Sequence, residues 1–130
     1  MAKYNETGFK VRGGSLTEAQ EQQAVVEWAL YNVNNYPCLK WFHHIPNGGR
    51  RDKREAVKLK KQGVKAGVSD LHLPFPNKGY HGLYIEMKSE NGRLSEKQAE
   101  FLEDMASYGF KTAVCFCAEA AIEVLEEYLR

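Results

Sequence analysis

Two short segments, SDLHLPF and GLYIEMKS, alternate apolar and polar residues on either side of the turn-rich stretch PNKGYH. A period of two around a cluster of Pro, Asn and Gly reads as two strands folded back on each other. Pro74 has no N–H to give to a ladder, so the first strand stops pairing about there or lies at an edge. Two strands alone are not stable in water, and the rest of the chain has to cover them.

The strand pair also carries charge in an unusual place. Asp70 and Glu86 interrupt apolar runs that include Leu71, Leu73, Leu83 and Ile85. A regular hairpin with its midpoint at position 78 sets the two carboxylates directly opposite one another, unless a bulge shifts the register. Opposed like charges are destabilising, and burial raises their cost. A divalent cation between them reverses that sign, because Mg²⁺ accepts hard oxygen ligands. Lys88 follows two residues after Glu86 and points to the same side of its strand, whereas Met87 points away and offers its backbone carbonyl. Two carboxylates, a cation and an ammonium around one point can orient a water and stabilise a developing phosphoryl oxyanion. The plainer alternative is a hairpin whose charges simply face solvent.

Helical patterns flank this unit. SLTEAQEQQAVVEWALYNV places Leu16, Val25, Val26, Ala29, Leu30 and Val33 along an apolar stripe, opened by a capping box of Ser15 with Glu18 or Thr17 with Gln20. LKWFHHI alternates as a first strand, and PNGG follows it as a turn or loop. RRDKREAVKLKKQG is a short basic helix stopped by Gly63. LSEKQAEFLEDMASYGF is amphipathic, with Ser95 and Gln98 as its capping box and Gly109 as its stop. KTAVCFCA then reads as a buried strand and EAAIEVLEEYLR as a closing helix. The order α-β-(short α)-β-β-α-β-α describes one mixed α/β domain over residues 15–130, after a polar, glycine-ended tail over 1–14.

With 130 residues the chain can bury one modest core, and a net charge of +1 does not by itself announce a nucleic-acid partner. The distribution of charge does. Arg50, Arg51, Lys53, Arg54, Lys58, Lys60, Lys61 and Lys65 crowd one stretch opposed only by Asp52 and Glu55, while the final helix carries Glu119, Glu123, Glu126 and Glu127. A solvated helix face is the usual fate of such a run, but its position just before the acidic strands favours contact with a phosphate backbone. HHIPNGGRR adds His44, Asn47 and the amides of Gly48 and Gly49 as phosphate donors. Three cysteines are an odd number, and Cys115 and Cys117 alternate as two thiols on one strand face rather than as a disulfide framework. There is no apolar run long enough for a membrane span and no secretory h-region, so a cytoplasmic location is expected. Zinc-ligand spacing, G-x-S-x-G and P-loop patterns are missing, which leaves acyl transfer and nucleotide hydrolysis without a foothold.

With these residues in view, the sequence resembles the VRR-NUC (virus-type replication-repair nuclease) branch of the PD-(D/E)XK nucleases. Asp70 followed by Ile85-Glu86-Met87-Lys88 matches the family's acid and E-x-K elements, and the resemblance extends through HIPNGGRR, LKKQGVKAGVSDLHL and NGRLSEKQAEFL. Ser69 stands where the family has proline. The resemblance covers roughly residues 15 to 125 and implies a restriction-endonuclease-like core of α-β-β-β-α-β order, with a mixed central sheet flanked by helices. It implies Mg²⁺- or Mn²⁺-dependent hydrolysis of DNA, with Asp70, Glu86 and the Met87 carbonyl as metal ligands and Lys88 handling the water. Gln98 matches the family's glutamine on the following helix, in competition with its capping role. Glu18, with Glu21 as the alternative, matches an acid on the first helix. The loop and basic helix (His44, Asn47, Gly48, Gly49, Arg50, Arg51, Lys53, Arg54, Lys58, Lys61 and Lys65) would meet DNA. Closest in kind are small stand-alone viral (phage) members, which implies a homodimer acting on branched DNA such as four-way (Holliday) junctions. A DNA-binding module without catalysis is the competing reading.

Overall fold

The computed structural model describes residues 3–4, 10–11, 16–47 and 52–130. Of the expected N-terminal tail, only β1 (Lys3–Tyr4) and β2 (Lys10–Val11) are among them, paired antiparallel as a small ribbon. The remainder of that tail, Ser15 with its share of a capping box, and the Gly48–Arg51 segment lie outside the described residues.

Helix α1 (Glu18–Tyr31) begins at Thr17, whose hydroxyl accepts from the Gln20 N–H while the Gln20 side chain accepts from the Thr17 N–H. That reciprocal cap is the second of the two expected, and a cap of this kind contributes about 1 kcal/mol. Helix α2 (Lys53–Lys61) starts at Asp52, which accepts from the Glu55 N–H at 2.8 Å. It ends before Gly63, whose φ of +106° is the left-handed conformation that stops a helix. Strands β4 (Leu71–Leu73) and β5 (Leu83–Met87) form the antiparallel pair, helix α3 (Glu96–Ser107) carries the Ser95–Gln98 box, and β6 (Lys111–Cys115) leads into helix α4 (Ala118–Leu129).

With β3 (His43–His44) the sheet order is β3-β4-β5-β6, antiparallel except for the parallel β5–β6 pair. Leu71, Leu73, Leu83, Ile85 and Met87 point to one face, where Val25 and Ala29 of α1 and Ala118, Ala121, Leu125 and Tyr128 of α4 close a single core. α3 packs on the opposite face, through Phe101 against Tyr84. This is the expected α/β class: a mixed central sheet with helices on both sides.

Two expectations need correction. LKWFHHI is not a strand throughout: Pro37–Trp41 is a 3-10 turn and only His43–His44 pairs with β4. The buried pair is Leu39 and Phe42, three apart. That is the period of a 3-10 helix rather than of a strand, and Pro37 at its first position presets the φ it needs. Cys115 and Cys117 likewise do not share a strand face, because β6 ends at Cys115 and Cys117 is the N-cap of α4.

Candidate functional site

The ladder pairs Leu71 with Ile85 and Leu73 with Leu83, and one further step sets Asp70 opposite Glu86. Alternation turns Asp70, His72, Tyr84, Glu86 and Lys88 to the α3 side of the sheet, away from the core leucines. Glu86 is nonetheless only 1% exposed. Its Oε1 accepts from Gln98 Nε2 at 3.2 Å and lies 4.0 Å from Lys88 Nζ, while its Oε2 is buried with no hydrogen-bond partner among the described residues. Asp70 Oδ2 accepts from the Met87 N–H at 2.8 Å. The N–H and C=O of one strand residue share an edge, so the Met87 carbonyl is turned toward Asp70 as well.

Burial first, then the Asp70 carboxylate beside it, pushes the Glu86 carboxyl up to about 8; Lys88 opposes the shift and Glu18 adds to it. Lys88 alone does not offset this, so without a bound cation the Glu86 carboxyl keeps its proton near neutral pH. Gln98 serves two roles at once: its Oε1 accepts from the Ser95 N–H at 2.9 Å and its Nε2 donates to Glu86. The expected competition between capping and site roles therefore does not arise, since each role uses a different end of one amide.

A cleft of about 390 Å³ opens over the carboxylates, lined by Glu18, Ala19, Gln22, His44, Asn47, Asp70, Glu86 and Gln98. Glu18 thus reaches the site. Glu21 is spent elsewhere, accepting from the Ala118 N–H at the start of α4. Gln22 escaped the sequence-based selection although it lies one turn beyond Glu18, a spacing that already put it on the same helix face. His44 donates Nδ1–H to the Asp70 carbonyl at 2.8 Å, which assigns the tautomer and leaves Nε2 for the cleft. Asn47 donates to the Val68 carbonyl and anchors the loop that leaves β3. Lys53, Arg54, Val57, Lys58 and Lys61 share an open face of α2, and Lys65 follows as an exposed residue. None of these basic residues lines the cleft. Gly48, Gly49, Arg50 and Arg51 lie outside the described residues.

Among the described residues no three or more His, Cys, Asp or Glu side chains converge as a metal site. The donors that do converge are two carboxylates and a backbone carbonyl. That set suits a hard cation that keeps several of its own waters, and the orphaned Glu86 Oε2 is an oxygen with nothing else to bind.

No helix of the described residues is long and apolar enough to cross a membrane. No curated protein matches the chain. A solved structure titled "VRR_NUC domain protein" superposes with a TM-score of 0.74 at 32% identity, covering 88% of this chain and 89% of that one. The family model described as "VRR-NUC domain" matches residues 16–119, which contain Glu18, Asp70, Glu86, Lys88 and Gln98. With 104 of its 130 residues inside that match and its acids meeting at one cleft, the chain belongs to the VRR-NUC family of nuclease domains.

Proposed function

We propose that this chain is a Mg²⁺- or Mn²⁺-dependent endodeoxyribonuclease that cuts branched DNA, such as four-way junctions, as a homodimer in the cytoplasm. The observation that carries this reading is the opposed Asp70–Glu86 pair lining one cleft, with a buried Glu86 oxygen that has no hydrogen-bond partner among the described residues. A pure binding module has no use for so costly an arrangement.

Asp70, Glu86 and the Met87 carbonyl would hold the cation, which when bound supplies Lewis-acid stabilisation of the phosphoryl oxygens and of the leaving 3′-oxygen. Lys88 holds a water in line with the phosphorus and sets its ammonium where negative charge grows. Gln98 fixes the Glu86 carboxylate through one oxygen and leaves the other free. His44 turns Nε2 to the cleft beside the phosphate, and Glu18 orients water at the far wall. Helix α2 meets backbone phosphates away from the cut, contributing affinity rather than sequence preference. The products are 5′-phosphate and 3′-hydroxyl ends.

The test is cleavage of end-labelled four-way junction, flap and duplex DNA with Mg²⁺, Mn²⁺ or EDTA, beside Asp70→Ala and Lys88→Ala. Metal-dependent cutting that both variants lose, strongest on the junction and by a particle of dimer mass in light scattering, is the expected result. Cutting that survives EDTA or Asp70→Ala refutes the site. Binding without cutting of any substrate puts the binding module in its place.

A further inference from the structure

Helix α3 covers only part of its side of the sheet. It packs on β6 and meets Tyr84 of β5 through Phe101, edge-on with ring centroids 5.1 Å apart. On the β3–β4 half of the same face His43 is exposed and His72 only half-buried. Rings run along this open half: His43 meets His72 edge-on at 5.6 Å, and His72 stacks on Tyr84 at 4.0 Å and 15°. Two residues before His43 in the chain stands Trp41, 64% exposed, with Lys40 Nζ 5.3 Å from its ring centroid. The Trp41 carbonyl accepts from His43 Nδ1–H at 2.8 Å, which ties the two residues together.

A tryptophan left this open forgoes a large hydrophobic gain, so its surroundings should say what covers it. They are cationic or polar: Lys40 lies over its ring, and His43 and His44 follow it in the chain as exposed residues. An aromatic face with a cation over it is how proteins hold single-stranded nucleic acid, since every base has a π-face and the cation serves the phosphate. Position fits the same occupant. His43 lies one strand spacing across and two residues along from Asp70, about 8 Å away. That is two to three stacked nucleotide steps at roughly 3.4 Å each. A strand with its phosphate at Asp70 and Glu86 therefore delivers a base two or three steps along to His43, and Trp41, whose carbonyl holds the His43 ring, lies next to it in the chain. A paired base has its faces buried in the duplex; an unpaired one is free to stack.

We propose that Trp41, with His43 and Lys40, is a stacking platform for an unpaired DNA base beside the scissile phosphate. Its location relative to the cut rests on the nuclease reading, and the base it takes is one left unpaired at the branch point of the substrate.

Binding is read in EDTA on the full chain, using a labelled dT oligonucleotide and a blunt duplex of equal length by anisotropy, with tryptophan emission followed in parallel. Oligo-dT should quench the wild-type emission. Trp41→Ala should weaken dT binding by about five- to a hundredfold, but duplex binding by less than about twofold. Trp41→Phe keeps a π-face and should recover most of the dT affinity. Equal losses on both DNAs, or no loss on dT, overturn the platform. Circular dichroism melts confirm that the variants fold, as truncation of an exposed ring predicts. The two readings fail separately: dT-specific loss in a chain that cuts nothing sinks the nuclease alone, whereas cutting without dT-specific loss sinks the platform alone.

Discussion

Glu86→Gln should stabilise the metal-free protein at alkaline pH while abolishing cleavage. Burial and Asp70 raise the folded-state Glu86 carboxyl from 4.5 to about 8. For a raised carboxyl the folded state binds the proton more tightly than the unfolded state does. Its stabilisation is therefore complete below the unfolded value near 4.5 and is lost as pH rises through about 8. Each unit between those values costs roughly 1.4 kcal/mol, so the ionised pair has cost on the order of 4 to 5 kcal/mol by pH 8, about 3 of it above pH 5. Glutamine preserves the shape, keeps an oxygen for Gln98 Nε2, and gives Asp70 an N–H donor in place of a like charge. The assay is urea unfolding in EDTA at pH 5, 6, 7 and 8. The difference between Glu86→Gln and wild type should be near zero at pH 5 and grow to about 3 kcal/mol at pH 8, worth on the order of 10 °C in melting temperature. Histidine titrations are common to both proteins and cancel in the difference. Adding Mg²⁺ should restore the wild type by mass action and leave the variant unmoved. Parallel pH profiles, or a variant less stable than wild type at pH 8, would refute the reasoning, because the pair would then not be under the repulsion that its geometry implies.

Gln98→Ala removes both a cap bond and a bond to Glu86 and should lower thermal stability by about 1 to 2 kcal/mol. Gln98→Glu keeps the cap but adds a third carboxylate, so its loss in melting temperature should be larger at pH 8 than at pH 5. Ser69→Ala deletes a hydroxyl that is fully buried with no hydrogen-bond partner among the described residues; melting should show it neutral or stabilised by about 1 kcal/mol. Glu21→Ala should cost about 1 kcal/mol in unfolding free energy with cleavage unchanged, whereas Glu18→Ala should keep its stability and lose about ten- to a hundredfold in cleavage rate. Lys58→Ala with Lys61→Ala should weaken junction and duplex binding alike and reduce the slope of log affinity against log salt by about 2.

Helix starts and stops were legible because they are local chemistry: Thr17 with Gln20, Ser95 with Gln98, and Gly63 and Gly109 at positive φ are all written within a few residues. The 3-10 turn at Pro37–Trp41 was not. Over seven residues an apolar spacing of three can pass for alternation, and only burial of Leu39 together with Phe42 separates the two. Glu18 was preferred to Glu21 in the sequence, but what makes Glu21 unavailable lay beyond local reading. The choice is made by the Ala118 N–H, 97 residues further along the chain, which claims Glu21. Trp41 escaped for the opposite reason: an aromatic in an apolar-looking run reads as core until its exposure is known.

The facing of Asp70 and Glu86 was anticipated from a regular hairpin, yet the hairpin is irregular. Asn77 pairs with Tyr80 around Lys78 and Gly79, both at positive φ, as a tight two-residue turn demands. Extended without interruption, that turn would pair Asp70 with Met87 and send the two carboxylates to opposite faces of the sheet. Between Leu73 and Asn77 there are three residues, Pro74, Phe75 and Pro76; between Tyr80 and Leu83 there are two, His81 and Gly82. The extra residue shifts the ladder by one and brings Asp70 opposite Glu86. Two prolines that cannot join a ladder are suited to hold it outside the pairing. Tyr128 fastens the segment by donating its hydroxyl to the Phe75 carbonyl at 2.7 Å, and Asn77 donates its side-chain amide to the Tyr128 carbonyl at 2.8 Å. The acidic pair thus depends on a proline-flanked offset anchored to the last turn of α4. Replacing Pro74 and Pro76 so that the extra residue can join the ladder would let the turn's own register pair Asp70 with Met87 and part the carboxylates, whereas deleting one residue between Leu73 and Asn77 would remove the offset and keep them opposed.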